Sequence, residues 1–390
     1  MTEPMARVGD KVADVLTPAL VIDLDAMERN LASMAEFARA KGMRLRPHAK
    51  MHKSGVIAKL QMAAGAVGVC VQKLSEAEAL ANAGVADIYI SNEVIDARKL
   101  ARLAELAKRG RIAVAVDSAL GVDRLAEAVK SAGATLDVFV EIDVGQGRCG
   151  VAPVAAGALA HRVVSHGTTS AAGQPTGLRF AGLQAYHGRA QHLRDPAERE
   201  AAIHHAVTLA RAAQAGITSA GIPCPLVTGA GTGTFVHEAA SGVYGELQAG
   251  SYLFMDADYA QNQAASHAPV FEHALFVKSQ VMSRGVAHAV VDAGHKSHAI
   301  DSGLPRVWRV ASHSAASGFA DLEFGNGGDE HGILKPRGDA LPALGDTVWL
   351  VPGHCDPTVN LHDHYIAVRG GLAVGVVEAV WAIDARGCLS

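Results

Sequence analysis

The sequence predicts a (β/α)8 barrel of TIM type followed by a mainly β domain. Three observations carry that prediction: eight short apolar runs, helical stretches between consecutive runs, and the loss of long helices after about residue 270. Near-continuous apolar runs mark strands buried on both faces, and their alternation with helices is the sequence form of a parallel barrel. A doubly wound open sheet is the competing architecture, but the GxGxxG turn after its first strand is missing here.

After a polar start of about 15 residues, Thr17 to Asp25 reads as a short apolar strand. A helix follows, because Met27, Leu31, Met34, Phe37 and Ala38 recur at three- and four-residue spacing. The eight runs are 43–48, 66–72, 87–92, 111–117, 136–144, 180–187, 226–229 and 246–252. Beyond 270, strand-like pieces at 273–277 and 287–291 alternate with turn signals such as Gly325-Asn326-Gly327-Gly328 and Arg369-Gly370-Gly371. The predicted boundaries are a barrel over 26–265 and a β domain over 266–390, joined by residues 1–25 with their strand at 17–25.

Composition narrows the function classes. At 390 residues the chain exceeds an average domain, and 49% hydrophobic residues can fill a large core. A net charge of −4 leaves no basic footprint for nucleic acid. No uncharged apolar run reaches about 18 residues, and no leader with a cleavage site is visible. Five cysteines without CxxC spacing argue against a disulfide framework. The expectation is a cytoplasmic enzyme acting on a small molecule, away from membranes.

Barrels of this kind place their chemistry at the C-terminal ends of the strands. Polar residues gather there: Lys50, Gln72, Asn92, Asp117, the Gly145-Gln146-Gly147-Arg148 turn, Tyr186 and His187. A partly desolvated lysine at a barrel mouth can form a Schiff base with a carbonyl cofactor or substrate. Lys53, three residues on, fits the solvated surface role that most lysines play. Arg148 can donate to a cofactor oxygen or a substrate carboxylate, and Tyr186 can sit near a ring nitrogen. The seventh run leads into Thr228-Gly229-Ala230-Gly231-Thr232, and the eighth into Gly250-Ser251-Tyr252. Glycine backbone and hydroxyl donors after strands seven and eight suit a phosphate, which selects Thr228, Gly231, Thr232, Gly250, Ser251 and Tyr252.

His192, on the loop after the sixth run, is a candidate general base. In His354-Cys355-Asp356, residues two apart face one side if the piece is extended, so His354 and Asp356 would share an ion while Cys355 turns away. Imidazole plus carboxylate suits Mn²⁺, Mg²⁺ or Co²⁺. Lysine, phosphate loops and this pair together point to amino-acid chemistry on pyridoxal 5′-phosphate (PLP) with divalent-metal assistance.

These residues, in this order, resemble the D-threonine aldolase family, which includes the 3-hydroxyaspartate aldolases and belongs to the alanine-racemase-like, fold-type III PLP enzymes. The resemblance runs from about 17 to 388. It is carried by RPHAK at 46–50, QKLSEAEAL at 72–80, EIDVGQGRCGV at 141–151, FAGLQAYHG at 180–188, SGVYGELQAGSY at 241–252 and PGHCDPTVNLHD at 352–363. It implies that Lys50 carries PLP, that His192 is the base acting on the β-hydroxyl, and that His354 and Asp356 hold the metal, Mn²⁺ foremost. The implied activity is cleavage of D-3-hydroxy amino acids, D-threonine giving glycine and acetaldehyde. A 3-hydroxyaspartate aldolase giving glyoxylate, a D-serine or 3-hydroxyaspartate dehydratase, and a non-catalytic PLP carrier are the alternatives. The related D-serine dehydratases carry cysteine two residues after the histidine; the aspartate here sides with the aldolases. Arg189, His295, Lys296 and His298 are possible partners for a second substrate carboxylate. Fold-type III relatives set the β domain of one subunit over the barrel of another. With Lys50 in the barrel and the metal pair in the β domain, a homodimer is expected.

Overall fold

The computed structural model describes residues 5–169, 175–265, 268–309 and 318–390. The eight apolar runs form eight parallel strands: Arg44–Leu45, Val69–Val71, Asp87–Glu93, Arg111–Val116, Thr135–Glu141, Pro175–Ala185, Val227–Gly229 and Glu246–Leu247. The barrel closes between its first two strands. Val67 N donates to Leu45 O and Cys70 N to Pro47 O, each at 2.8 Å, and His48 forms a parallel bridge with Cys70.

Several runs yield shorter strands than their apolar length suggests, and two of these give way to 3₁₀ turns. Pro47 has no N–H for a ladder, and the chain coils into a 3₁₀ turn over Ala49–Met51. Lys50 therefore sits on a turn beyond its strand instead of at the strand's last position. The eighth strand likewise stops at Leu247, and Ser251–Leu253 is a second 3₁₀ turn. Both turns press against the cavity described below.

The helices follow their caps and apolar faces. In Leu24–Ala40 the Asp23 carboxylate accepts from Ala26 N at 3.2 Å, and Met27, Met34 and Ala38 are buried. The helix Pro196–Ser219 has Pro196 in its first turn and Asp195 accepting from Ala197 N at 2.7 Å. Strand residues such as Ile88, Val114, Val138 and Leu183 are buried against the helical layer, each contributing roughly 1.5–3 kcal/mol of apolar burial.

The opposite faces of the strands fill the barrel with an apolar layer of Cys70, Tyr89, Ala113, Ala115 and Phe139 and with a polar network. Arg46 meets Asp87 at 2.5 Å and Glu246 at 3.2 Å; Glu246 accepts from Thr228 Oγ1 at 3.0 Å, and Gln248 donates to Thr228 Oγ1 and to Gln184, both at 2.8 Å. Each of these side chains has at least one partner, and the remaining Glu246 oxygen is met only by the Arg44 charge at 3.1 Å. The site above rests on this cross-linked floor.

The strand at Ala19–Asp23 pairs antiparallel with Leu275–Arg284 and parallel with His364–Arg369, so the N-terminal segment is built into the C-terminal sheet. Thr347–Val351 lies on the other side of Leu275–Arg284. Its C-terminal end is fastened to the barrel: Ala257 N donates to Pro352 O at 2.9 Å and Asp258 N to Gly353 O at 3.2 Å. This join carries His354 to the barrel mouth. No helix among the described residues is long and apolar enough to cross a membrane.

Candidate active site

The C-terminal end of the barrel opens into a cavity of about 360 Å³ whose far wall is supplied by the β domain. Lys50 projects into it, and its Nζ lies 3.3 Å from Asp356 Oδ2. Burial opposes the charge of this amine, but Asp356 and the Tyr186 phenol outweigh it and lift the Lys50 pKa above the usual lysine value. One chain thus brings the barrel lysine and the metal motif together. The separation of these residues between domains, taken above as a reason for a dimer, is met within a single chain.

Lys53 is not a surface lysine. It is 6% exposed, adopts φ +52°, and its Nζ lies 2.5 Å from Glu76 Oε1. Glu76 also accepts from Gln72 N at 2.9 Å, so this ion pair braces the strand end that presents Gln72. The Gln72 side chain meets His48 Nε2 at 2.9 Å and Ser91 Oγ at 3.1 Å. Burial, reinforced by the nearby Lys50 charge, holds the His48 pKa well below the usual histidine value, so the ring is neutral.

Arg148 also lines the cavity, with its guanidinium 5.9 Å from the centroid of the Tyr186 ring. Its turn is fixed by Asp143 Oδ1, which accepts from Gly145 N at 2.9 Å and Gly147 N at 3.0 Å. Burial raises the Tyr186 pKa, so its hydroxyl stays protonated at neutral pH.

Gly231, Thr232, Gly250 and Ser251 form the wall after strands seven and eight. A Cβ on Gly250 would come within 2.8 Å of the His48 carbonyl oxygen, and one on Gly231 within 2.5 Å of Gln191 Oε1, so a side chain at either position would displace backbone or the Gln191 amide. Thr232 Oγ1 accepts from Tyr252 N at 2.9 Å, locking the two loops together. Thr228 and Tyr252 lie off the cavity wall. The Thr228 hydroxyl belongs to the barrel network, and the buried Tyr252 hydroxyl accepts from Gln61 at 3.3 Å. In sequence they share the phosphate loops; strand alternation and the 3₁₀ turn point their side chains elsewhere.

His192 ends the 3₁₀ turn Arg189–His192 and reaches the cavity, with its Nδ1 2.6 Å from Asp258 Oδ2. His187 does not line the cavity. It packs behind the Gly145 turn with a buried, unpartnered Nδ1, and burial lowers its pKa.

The metal motif has a different local shape from the extended piece expected. His354 is extended, but Cys355–Val359 is a short helix that His354 precedes. The pairing survives because the helix start turns Asp356 back under the imidazole. His354 Nε2 and Asp356 Oδ1 are 3.7 Å apart, while Cys355 is buried with Sγ toward Met255 O. Asp356 Oδ1 is buried without a hydrogen-bond partner, a costly state for a carboxylate oxygen unless a cation occupies the gap. His354 Nδ1 meets Asp301 Oδ2 at 2.7 Å, the carboxylate–histidine arrangement that orients metal-bound imidazoles. The donor set fits a divalent ion with open positions, and the lysine, glycine loops and hydroxyls fit PLP. Elsewhere, Glu93, Asp117 and Cys149 also bring ligand atoms within 4.8 Å of one another.

Comparison with known proteins shows the family and its cofactor class. A family model described as "Alanine racemase, N-terminal domain" matches residues 22–258, and a domain model of serine-dehydratase type matches 274–368. The chain is 42% identical to a 3-hydroxy-D-aspartate aldolase of Paracoccus denitrificans (strain Pd 1222), over 97% of this chain and 94% of that protein. It is 44% identical to a D-threonine aldolase of Arthrobacter sp, over 98% and 96% respectively. The chain belongs to the D-threonine aldolase and 3-hydroxy-D-aspartate aldolase family. The crystal structure of D-threonine aldolase from Filomicrobium marinum superposes with a TM-score of 0.91 at 48% identity, covering 99% of this chain and 100% of that one. A D-threo-3-hydroxyaspartate dehydratase from Delftia sp. HT23 is more distant, at 27% identity and a TM-score of 0.82. Membership places the chain among PLP-dependent enzymes of the alanine-racemase-like fold, with a barrel and a C-terminal β domain.

His48, Ser91 and Tyr259 line the same cavity and carry no role in the sequence reading. His48 had a usable signal, since it lies two residues before Lys50 in RPHAK and caps the turn that carries it. Asp301 had none, because its contact with His354 spans 53 positions.

Proposed function

We propose that the protein is a PLP- and divalent-metal-dependent aldolase that splits D-3-hydroxy amino acids into glycine and an aldehyde. The observation that carries this reading is the 3.3 Å approach of Lys50 Nζ to Asp356 Oδ2, which puts the cofactor-bearing amine beside the metal pair and His192 in one cavity. When bound, PLP supplies an electron sink for the bond broken at Cα, and a divalent ion supplies polarisation of the β-hydroxyl. His354 and Asp356 would hold the ion, with Mn²⁺ the first choice. Thr232, Ser251 and the adjoining glycine backbone would hold the phosphate; Arg148 and Tyr186 would face the ring. His192 accepts the β-hydroxyl proton as the Cα–Cβ bond breaks, and Cα takes up a proton to leave glycine.

Arg189 lines the cavity beside His192, which favours a substrate whose side chain carries a carboxylate, so that 3-hydroxyaspartate giving glyoxylate is the second reading. Lys296 and His295 do not compete for that role, being engaged with Glu330 and Asn326. The family resemblance, not the site geometry, is what supports a homodimer, and composition alone is what supports a cytoplasmic location. A product assay on D-threonine and on both D-3-hydroxyaspartate diastereomers tests the function. Glycine with acetaldehyde or glyoxylate is expected, abolished by EDTA and restored by Mn²⁺. Ammonia with a 2-oxo acid would make the protein a dehydratase instead.

A further inference from the structure

Asp258 stands out among the buried charged groups not yet given a role. It is 7% exposed and belongs to the segment that joins barrel to β domain, its N–H donating to Gly353 O at 3.2 Å. One carboxylate oxygen meets His192 Nδ1 at 2.6 Å. The other accepts from the Arg194 guanidinium, which also donates to the Asp258 carbonyl at 2.8 Å and to Asn262 Oδ1 at 2.7 Å. The Tyr259 ring lies 5.5 Å from the imidazole, centroid to centroid, and limits its tilt. Both oxygens of Asp258 are thus committed, and the carboxylate cannot swing away from the histidine.

We infer that Asp258, clamped by Arg194, is a positioning residue that fixes the tautomer of His192. A carboxylate at Nδ1 requires a proton there. In the neutral ring the lone pair is then confined to Nε2, which makes no hydrogen bond with the described residues and belongs to a side chain exposed to the cavity. The proton is taken at Nε2, and the positive charge that develops on the ring is matched by a fixed negative charge 2.6 Å behind it. The same carboxylate hangs from the segment fastened to the chain that delivers His354, so base and metal pair share one scaffold. This inference rests on His192 being the base of the proposed reaction.

The test is a double-mutant cycle on the PLP- and Mn²⁺-loaded enzyme with D-threonine, using His192→Ala, Asp258→Asn and both together. Asp258→Asn keeps the shape but removes the charge and permits the wrong tautomer. It should lower kcat by roughly 10²–10⁴-fold with little change in KM, and the double variant should be no slower than His192→Ala alone. Asp258→Glu should recover about tenfold or more of the loss. The visible band of lysine-bound cofactor reports that each variant is folded and loaded. Imidazole ¹⁵N shifts give a readout independent of turnover: the signal lost in His192→Ala should show a protonated Nδ1 in the wild type and a tautomer mixture in Asp258→Asn. Wild-type kcat in Asp258→Asn beside an inactive His192→Ala, or losses that multiply in the double variant, would overturn the positioning role. Full activity in His192→Ala would instead remove the base assignment itself.

Discussion

Replacing Asp301 by asparagine tests how the metal pair is held. Its carboxylate lies 2.7 Å from His354 Nδ1 and leaves Nε2 facing Asp356 Oδ1 at 3.7 Å. Burial works against charge on His354, but Asp356 and Asp301 outweigh it and raise the imidazole pKa. Carboxylate partners of metal-bound histidines are worth roughly 10–100-fold in affinity, about 1.4–2.8 kcal/mol at about 1.4 kcal/mol per decade. The Asp301 side chain is 51% exposed, so solvent screens part of that interaction, and the expected loss is roughly tenfold. Titration of Mn²⁺ into metal-stripped, PLP-loaded enzyme measures it by calorimetry or recovered turnover. The dissociation constant should rise about tenfold in Asp301→Asn, with the cofactor band unchanged. An unaltered constant would refute the orienting role, and loss of PLP along with the metal would show that the two sites are not separable.

Other consequences concern the cofactor, the base and the fold. Lys50→Ala should abolish the yellow band near about 410–420 nm that PLP bound to lysine gives; a borohydride-reducible adduct in that variant would move the role to another lysine. His192→Ala should cut turnover by roughly 10²–10⁴-fold while substrate still perturbs the cofactor spectrum, and near-normal turnover would dismiss it as base. Burial pushes the Glu238 carboxyl up from 4.5 to about 7, so the folded chain holds a proton that the unfolded chain gives up. The associated stability is complete below about pH 4.5 and is lost as pH rises through about 7, at most about 3 kcal/mol. Urea unfolding of Glu238→Gln should therefore show a flatter pH dependence between about pH 5 and 8, and an unchanged slope would count against it. Arg46→Ala strands Glu246 and Asp87 in the barrel and should cost roughly 3–5 kcal/mol; a loss under about 1 kcal/mol in urea would show that the network relaxes.

The barrel was legible because buried parallel strands leave unbroken apolar runs, and each of the eight runs contains a strand. Strand ends were less so. Residues 43–48 and 246–252 read as strands throughout, yet Pro47 and the Gly250 turn divert the chain into 3₁₀ turns, and these turns present Lys50 and Ser251 to the cavity. Local motifs located most of the cavity wall, since RPHAK, the Gly145-Gln146-Gly147-Arg148 turn braced by Asp143, and the two glycine loops are each recognisable as short contiguous stretches. The polar part of the lumen was invisible: Arg46, Glu246 and Gln248 look like surface residues, yet all three are buried inside the barrel. Contacts between distant segments, such as His192 with Asp258 and His354 with Asp301, carry no local pattern at all.

The most direct measurement is a crystal structure of the PLP- and Mn²⁺-loaded protein with anomalous data at the manganese edge. The central claim is that one chain assembles cofactor lysine and metal in a single cavity. It predicts one strong peak between His354 Nε2 and Asp356 Oδ1, a few ångströms from the Lys50 amine. A peak at Glu93, Asp117 and Cys149 instead, with none at His354, would contradict it.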